Sequence, residues 1–494
     1  MLSLTIFLPL LGLAIVLCLA RTGRDPVRLT ALAASGATLV LAFAMWSGME
    51  GGPGLQHAER HSWIDALGIG YAVGLDGLSA PLVALTALLF FCALLFSWPE
   101  DRRPAEYYGW FLFLETACLG VFAAQDLFLF YIFWDLTLVG MYFVIALWGH
   151  EGAKAAALKF FLYTFVGSLA LLLGIIGLYL GSDPHTMDMA TIAAAPPFAA
   201  GGWIAVLVFF ALLAGLGVKI PVVPVHTWLP PAHAEAPAPG SAILAGVLLK
   251  MGTYGLFRIL LPMMPAASAD FAIVLVVIGL VSVVYGVLAA LAQSDLKRLI
   301  AYTSVNHMGY IVLAAGIAAT AGATPAVRTL AIDGAIMQMV SHGLITGSLF
   351  LLAGALWRRT QTFQIGRLGG LAGPLPVLAL SFGVAAFASL GLPGLSGFVA
   401  EFQIFAGAFA ARPLAAAIAL SGVLLTAGLL LWTLQRVFLG SEQAGQSGFA
   451  DMAWYERAAI FPLLAFVVLI GLAPAAILRV AEPFATALAA WLAR

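Results

Sequence analysis

The sequence predicts an all-α polytopic membrane protein with about 14 transmembrane helices. Two observations lead there. The 494 residues are 63% hydrophobic and only 9% charged, with a mean hydropathy of +1.05. Such a chain cannot cover a water-facing surface, where charged residues ordinarily make up about 25%. Apolar runs long enough to cross a bilayer also recur from end to end, and they are continuous rather than alternating, which excludes a β-barrel. A net charge of −1 gives nucleic acid no electrostatic foothold.

Taken in order, the runs begin near residues 2, 29, 76, 107, 126, 156, 201, 240, 271, 298, 327, 373, 413 and 454. The first, LSLTIFLPLLGLAIVLCLA, has no basic stretch before it and no small-residue cleavage site, and reads as a retained helix rather than a signal peptide. The gaps at 49–75 and 182–200 read as short loops with small amphipathic pieces. The run from 201 meets Pro221 and Pro224 directly after Lys219, and the run from 373 meets GLPGLSGFVAEF, with Pro393 ahead of Glu401. Proline removes a backbone donor and clashes with the carbonyl four residues back, here Gly217 for Pro221. Both spans must therefore break, and the freed carbonyls beside Lys219 are expected to form a hydrated spot.

Basic residues set the orientation. With the N-terminus outside, Arg21, Arg24, Arg102, Arg103, Lys154, Lys297, Arg298, Arg358 and Arg359 all fall on the cytoplasmic side. Both termini are then expected outside, on the periplasmic face. Cys18, Cys92 and Cys118 lie in apolar runs without metal-ligand spacing and read as packing residues.

Asp135, Lys219, Lys250 and Glu401 remain at membrane depth, with Glu115, His226, His307 and His342. An ion at a helix centre costs about 2.5–3.5 kcal/mol. These groups are expected to face one another, or water, within the bundle and to relay protons. A static set of buried ion pairs is the competing reading. Glu115 lies nearer a helix end on this reading, and His307 and His342 sit among Ser, Thr, Asn and Gln. His233 reads as a loop residue, and a zinc site from His226 and His233 lacks a third ligand. Two broken helices that each carry an ion match transporters built from repeats.

PVHTWLPPAHAEAPAPGSAILAGVLLKMGTYG, WDLTLVGMYFVIALWGH, SDLKRLIAYTSVNHMGY and GLPGLSGFVAEF resemble the antiporter-like membrane subunits of respiratory complex I, most closely the M-type (chain 4). The L-type would continue into a long lateral helix that this sequence lacks. The resemblance implies two inverted five-helix repeats with helices 7 and 12 broken. It divides the chain into three N-terminal helices (1–106), a first repeat (107–265), a second repeat (266–440) and a last helix with its tail (441–494). It implies a proton path through Asp135, Lys219, Lys250 and Glu401, with His307 and His342 on a polar axis. It places the L-type and N-type neighbours and small membrane subunits alongside, in a bacterial inner membrane. Flavin, iron–sulfur clusters and quinone belong to partner subunits, and no cofactor or metal is expected in this chain.

Two departures stand out. The family's usual WE pair is Trp134-Asp135, one methylene shorter, which lengthens the reach to Lys219. Its WLPDAH is WLPPAH, with Pro231 in place of an acid. A sodium/proton antiporter subunit, a membrane-bound hydrogenase subunit and a non-conducting scaffold are the alternatives.

Overall fold

A computed structural model describes residues 1–21, 23–441 and 448–494. The main helices are α1 (Leu2–Cys18), α2 (Arg24–Ser47), α3 (Ser79–Phe96), α4 (Pro104–Ala123), α5 (Leu127–Trp148), α6 (Ala153–Gly181), α7 (Trp203–Lys219) and α8 (Ala238–Met263). They continue with α9 (Ala272–Leu291), α10 (Leu296–Ala319), α11 (Pro325–Thr360), α12 (Pro376–Ser389), α13 (Ser396–Ala411), α14 (Pro413–Phe438), α15 (Trp454–Leu472) and α16 (Ala475–Leu492). Among the described residues ten helices are long and apolar enough to cross a membrane; α1, α7, α12 and α13 are shorter apolar helices. The fold is nearly all-helical, as the apolar runs predict.

Local chemistry sets the helix ends. The Asp126 carboxylate accepts the backbone N–H groups of Phe128 and Leu129 at the start of α5. Asp295 accepts from Arg298 at the start of α10, and Thr324 precedes Pro325 at the start of α11. Each satisfies donors that a helix start leaves open.

Among the described residues, α3, α8 and α11 lie toward the middle of the bundle. In α3, α8 and α11 the most apolar stretch is 89%, 94% and 100% buried, against 28% in α2 and 39% in α6 and α14. The outer helices are therefore the ones left for lipid or partners. Because lipid is as apolar as leucine, close backbone approach rather than water exclusion holds such helices together. The α9–α10 contact shows this: a Cβ at Gly279 would stand 2.6 Å from the Leu313 backbone nitrogen, and one at Gly309 would stand 2.8 Å from the Gly279 carbonyl oxygen.

The gap at 49–75 holds a β-hairpin rather than amphipathic pieces. Strands β1 (Gln56–Ile64) and β2 (Ile69–Leu75) pair antiparallel, with Arg60 opposite Ala72 and His61 opposite Tyr71. Gly68, at φ +59°, closes the turn. The hairpin shares one end of the bundle with the 182–200 connection, where Arg60 pairs with Asp188 at 2.7 Å. The C-terminal tail is likewise ordered, as α16, whose Trp491 indole donates to the Pro262 carbonyl at 3.1 Å.

Glu59 ties the hairpin to α1 by accepting from the Met1 amino group at 2.8 Å and from Ser3. Burial opposes charge on this carboxyl, but the amino terminus and Ser3 outweigh it and hold it down at about 2. A depressed acid contributes stability above its unfolded value of 4.5 and loses it as pH falls through 2. Glu59→Gln should therefore cost about 1 kcal/mol or less at neutral pH. The difference from the parent chain should vanish near pH 2, as read by thermal unfolding in detergent.

Candidate functional site

Lys219 is the last residue of α7 and is 1% exposed. Helix resumes only at Leu229–Glu235, so the prolines break the span as expected. Two of the carbonyls at the break are met by donors of the chain itself. Val222 N–H donates to the Gly217 carbonyl at 3.0 Å, and the Trp228 indole donates to Val218 at 2.9 Å. A neighbouring indole is a better-placed donor than water in an apolar bundle.

The Lys219 ammonium donates to Thr137 Oγ1 at 2.9 Å and lies 5.0 Å from the Trp134 ring centre. Thr137 in turn donates to the Trp134 carbonyl at 2.7 Å. Asp135 accepts from Ser168, whose hydroxyl lies 3.2 Å from that of Tyr131. Among the described residues no ion pair joins Asp135 to Lys219 within 4 Å. The shorter acid serves Ser168 on α6, and the lysine finds a hydroxyl instead.

Glu115 sits mid-helix in α4, fully buried, rather than near a hydrated end. It accepts from Ser35 on α2 at 2.9 Å, and its second oxygen has no hydrogen-bond partner.

The second half of the chain assembles a contiguous row. Lys250 lies in α8 between two π-helical stretches, Leu244–Leu248 and Leu256–Leu260, irregularities that frequently mark functional sites. Its ammonium donates to the Ala245 carbonyl at 2.5 Å and lies 2.6 Å from His342 Nδ1. With Nδ1 accepting, the neutral ring carries its proton on Nε2. The His342 and His307 ring centres are 5.4 Å apart. His307 Nε2 donates to the Ser389 carbonyl at 3.1 Å and stands 3.8 Å from Glu401. His342 thus takes a hydrogen bond on Nδ1, and His307 gives one from Nε2.

His307, His342, Gln338, Ser389 and Glu401 line a small cavity with room for about one water. His307 Nδ1, His342 Nε2, Gln338 Oε1 and Ser389 Oγ have no protein partner, so their hydrogen-bonding capacity is left to solvent.

The second break supplies the last member. α12 stops at Ser389 and α13 starts at Ser396, with Pro393 between Gly391 and Gly394, both at positive φ. A Cβ at Gly391 would stand 2.6 Å from a Glu401 carboxylate oxygen, so only glycine lets the broken backbone approach the acid.

The two groups are not joined. Between Lys219 and Lys250, Gly252 packs against Leu216 and Ile220, and no side-chain hydrogen bond crosses that step among the described residues. His226 lies in the α7 break with its ring 5.0 Å from that of Tyr285, and makes no hydrogen bond with either group among the described residues. His233 is not a loop residue: it is wholly buried in the helix Leu229–Glu235, stacked on Phe350 at 4.4 Å. Among the described residues no three His, Cys, Asp or Glu side chains gather to hold a metal.

Further charges inside the bundle escaped sequence reasoning, among them two ion-paired sets. Arg258 on α8 clamps Asp76 through two 2.6 Å contacts. Glu456 is fully buried and paired with Arg358 and Arg359. The arginine inside the apolar run GLFRILLP was a legible signal of the first pair. Glu456 reads as a connection residue until its partners are known.

The model of the family described as NADH:quinone oxidoreductase/Mrp antiporter, TM, matches residues 124–426. The chain belongs to this family. It is 38% identical over 488 residues to NADH-quinone oxidoreductase subunit M of Rickettsia bellii, covering 97% of this chain and 96% of that protein. It is 43% identical over 394 residues to F(420)H(2) dehydrogenase subunit M of Methanosarcina mazei, 78% and 77% of the two chains. A chain of respiratory complex I from Thermus thermophilus with bound NADH superposes with a TM-score of 0.90 at 32% identity, over the whole of both. A chain of the Mrp complex from Dietzia sp. reaches 0.85 at 22% identity over 99% of this chain and 100% of that one, which shows the shared family fold.

Proposed function

We propose that this chain is a proton-translocating membrane-arm subunit of an NADH:quinone oxidoreductase, in a bacterial inner membrane with both termini periplasmic. The contiguous row Lys250, His342, His307 and Glu401, buried in the bundle, carries the reading. Residues 107–265 and 266–440 act as two inverted repeats, each broken beside its ion.

The row works by giving and taking protons. Lys250 passes a proton to His342 at Nδ1, the ring releases its own from Nε2 toward His307, and Glu401 receives it at the second break. Opposite charge favours the protonated lysine, and burial favours the neutral one. A shift in nearby charge therefore moves the proton without moving the helices. Lys219 holds or releases a proton according to the state of Asp135, with Thr137 and Ser168 as the intervening hydroxyls. A water thread opens across the Gly252 step during turnover. Electrons, flavin, iron–sulfur clusters and quinone belong to partner subunits. The likeness to an F(420)H(2) dehydrogenase subunit supports a membrane module indifferent to the electron donor.

The test is Lys219→Ala in coupled membrane vesicles. Proton pumping should fall severely while the complex remains assembled. Near-normal pumping would count against the proposal. Purification in mild detergent with partners, and assay for flavin or nickel, separates it from an antiporter or hydrogenase module.

A further inference from the structure

On the outside of the bundle, a groove of about 410 Å³ runs between α12 and α15. Val377, Leu380 and Val384 form one wall, and Phe461, Leu464 and Val468 form the other. Steps of three and four residues put each set on a single helix face. From Phe461 to Val468 the slot follows α15 for about 10 Å. Leu380 is 72% exposed and Phe461 44% exposed, so the slot opens to whatever surrounds the bundle.

The same stripe of α15 continues past the groove to the start of the helix. One turn before Phe461 stands Arg457, and one turn before that stands Trp454. Trp454 is exposed and meets Trp98 edge-on, with ring centres 5.1 Å apart. Exposed tryptophan collects where a bilayer meets water, so this end of the groove lies at headgroup level. Arg457 is exposed, and among the described residues its guanidinium has no ion pair and no hydrogen bond. The nearby acids are already engaged. Glu456 holds Arg358 and Arg359, and Asp451 accepts from the Val377 and Leu378 backbone N–H groups at the start of α12. A backbone group is also left open beside Arg457. Pro462, inside α15, has no N–H to give to the carbonyl of exposed Ala458, four residues back. Next to hydrocarbon, such a carbonyl is costly until a donor reaches it.

We infer that the groove holds one anionic phospholipid, with its phosphate on Arg457, a headgroup hydroxyl at the Ala458 carbonyl and one acyl chain laid between α12 and α15. A guanidinium matches phosphate through parallel N–H donors, and the apolar walls match the chain. A zwitterionic lipid carries the same phosphate, but its own cation lies beside the guanidinium and offsets the attraction. In the orientation proposed above, the lipid belongs to the cytoplasmic leaflet. It packs α12, whose other end is the second break, against α15. The inference goes beyond the proposed function and needs only the bundle in a bilayer, whatever the row inside it does.

The experiment uses the whole complex in phosphatidylcholine vesicles that carry a small share of phosphatidylglycerol with a diazirine midway along one acyl chain. After irradiation, labelled peptides are mapped by mass spectrometry. The inference expects label on the segments 377–384 and 461–468, about five times as much as from a phosphatidylcholine probe with the same diazirine, the preference that one basic residue gives at an anionic headgroup. Unlabelled phosphatidylglycerol should compete the label away, although the phosphatidylcholine already in excess does not. Both comparisons use the parent chain, so neither depends on the folding of a variant. Arg457→Gln, in a complex that still assembles, should bring the two probes to equal labelling. Equal labelling by the two probes in the parent chain would overturn the inference and leave the groove to bulk lipid. No label on either segment in the assembled complex would also overturn it, and would mean that a partner subunit covers the groove.

Discussion

Lys250→Met should abolish proton transfer through this chain, lowering it at least about 100-fold, the low end of what a positioned proton donor contributes. The thioether fills the space of the alkyl chain but neither donates to His342 nor accepts a proton. The same loss is expected for Lys250→Arg. Guanidinium keeps the positive charge, so a purely electrostatic role for Lys250 would survive, but it does not deprotonate in a protein. The pair therefore distinguishes a proton carrier from a fixed charge, read as pumped protons per electron with assembly checked on a native gel. Normal pumping by the arginine variant would reduce Lys250 to a static cation. Its ammonium lies 2.6 Å from His342, and the next member, His307, is reached only through that ring.

The second large effect falls on stability. Glu456→Ala should destabilise the folded chain by about 3 kcal/mol, because removing one partner of a buried ion pair leaves the other uncompensated. The Glu456 carboxylate accepts from Arg358 at 3.1 Å, from Arg359 at 2.7 and 3.1 Å, and from the Ala453 backbone N–H at 2.9 Å. It thereby binds the end of α11, a helix at the centre of the bundle, to the start of α15. Arg358 keeps its stacking on Phe96 and its bond to the Phe96 carbonyl, so the loss stops short of a fully orphaned pair. Glu456→Gln should lose less, since an amide oxygen still accepts. Thermal unfolding of the purified complex in detergent measures both. Equal stability of Glu456→Ala and the parent chain would show that the two arginines are sufficiently hydrated without their acid.

How far the site was legible differs between its halves. Lys250, His307, His342 and Glu401 were each visible as ionisable residues in apolar runs, and two breaks in those runs, at Pro221 with Pro224 and at Pro393, were equally plain. The expected contact between Asp135 and Lys219 did not appear. Helix order alone puts an acid near a base, but the carboxylate accepts from Ser168 and the ammonium donates to Thr137 instead. The freed carbonyls beside Lys219 followed the same course, since nothing local says that Trp228, nine residues on, will fold back to satisfy them. His233 was misread because proline neighbours look like a loop, whereas Phe350, more than a hundred residues away, buries it.

The sequence by itself determined the solvent, most of the helices and the depth of Lys219, Lys250 and Glu401. Those properties follow from composition and from runs of apolar residues read against the thickness of a bilayer. It also determined where two helices break, because proline acts on its own backbone. Only the tertiary structure decided which helix faces which, and so which charge meets which partner. In water, an amphipathic stripe announces the buried face. In lipid, both faces are apolar, and the choice rests on close packing at small residues, such as Gly279 against Leu313, that leaves no periodic mark in the chain.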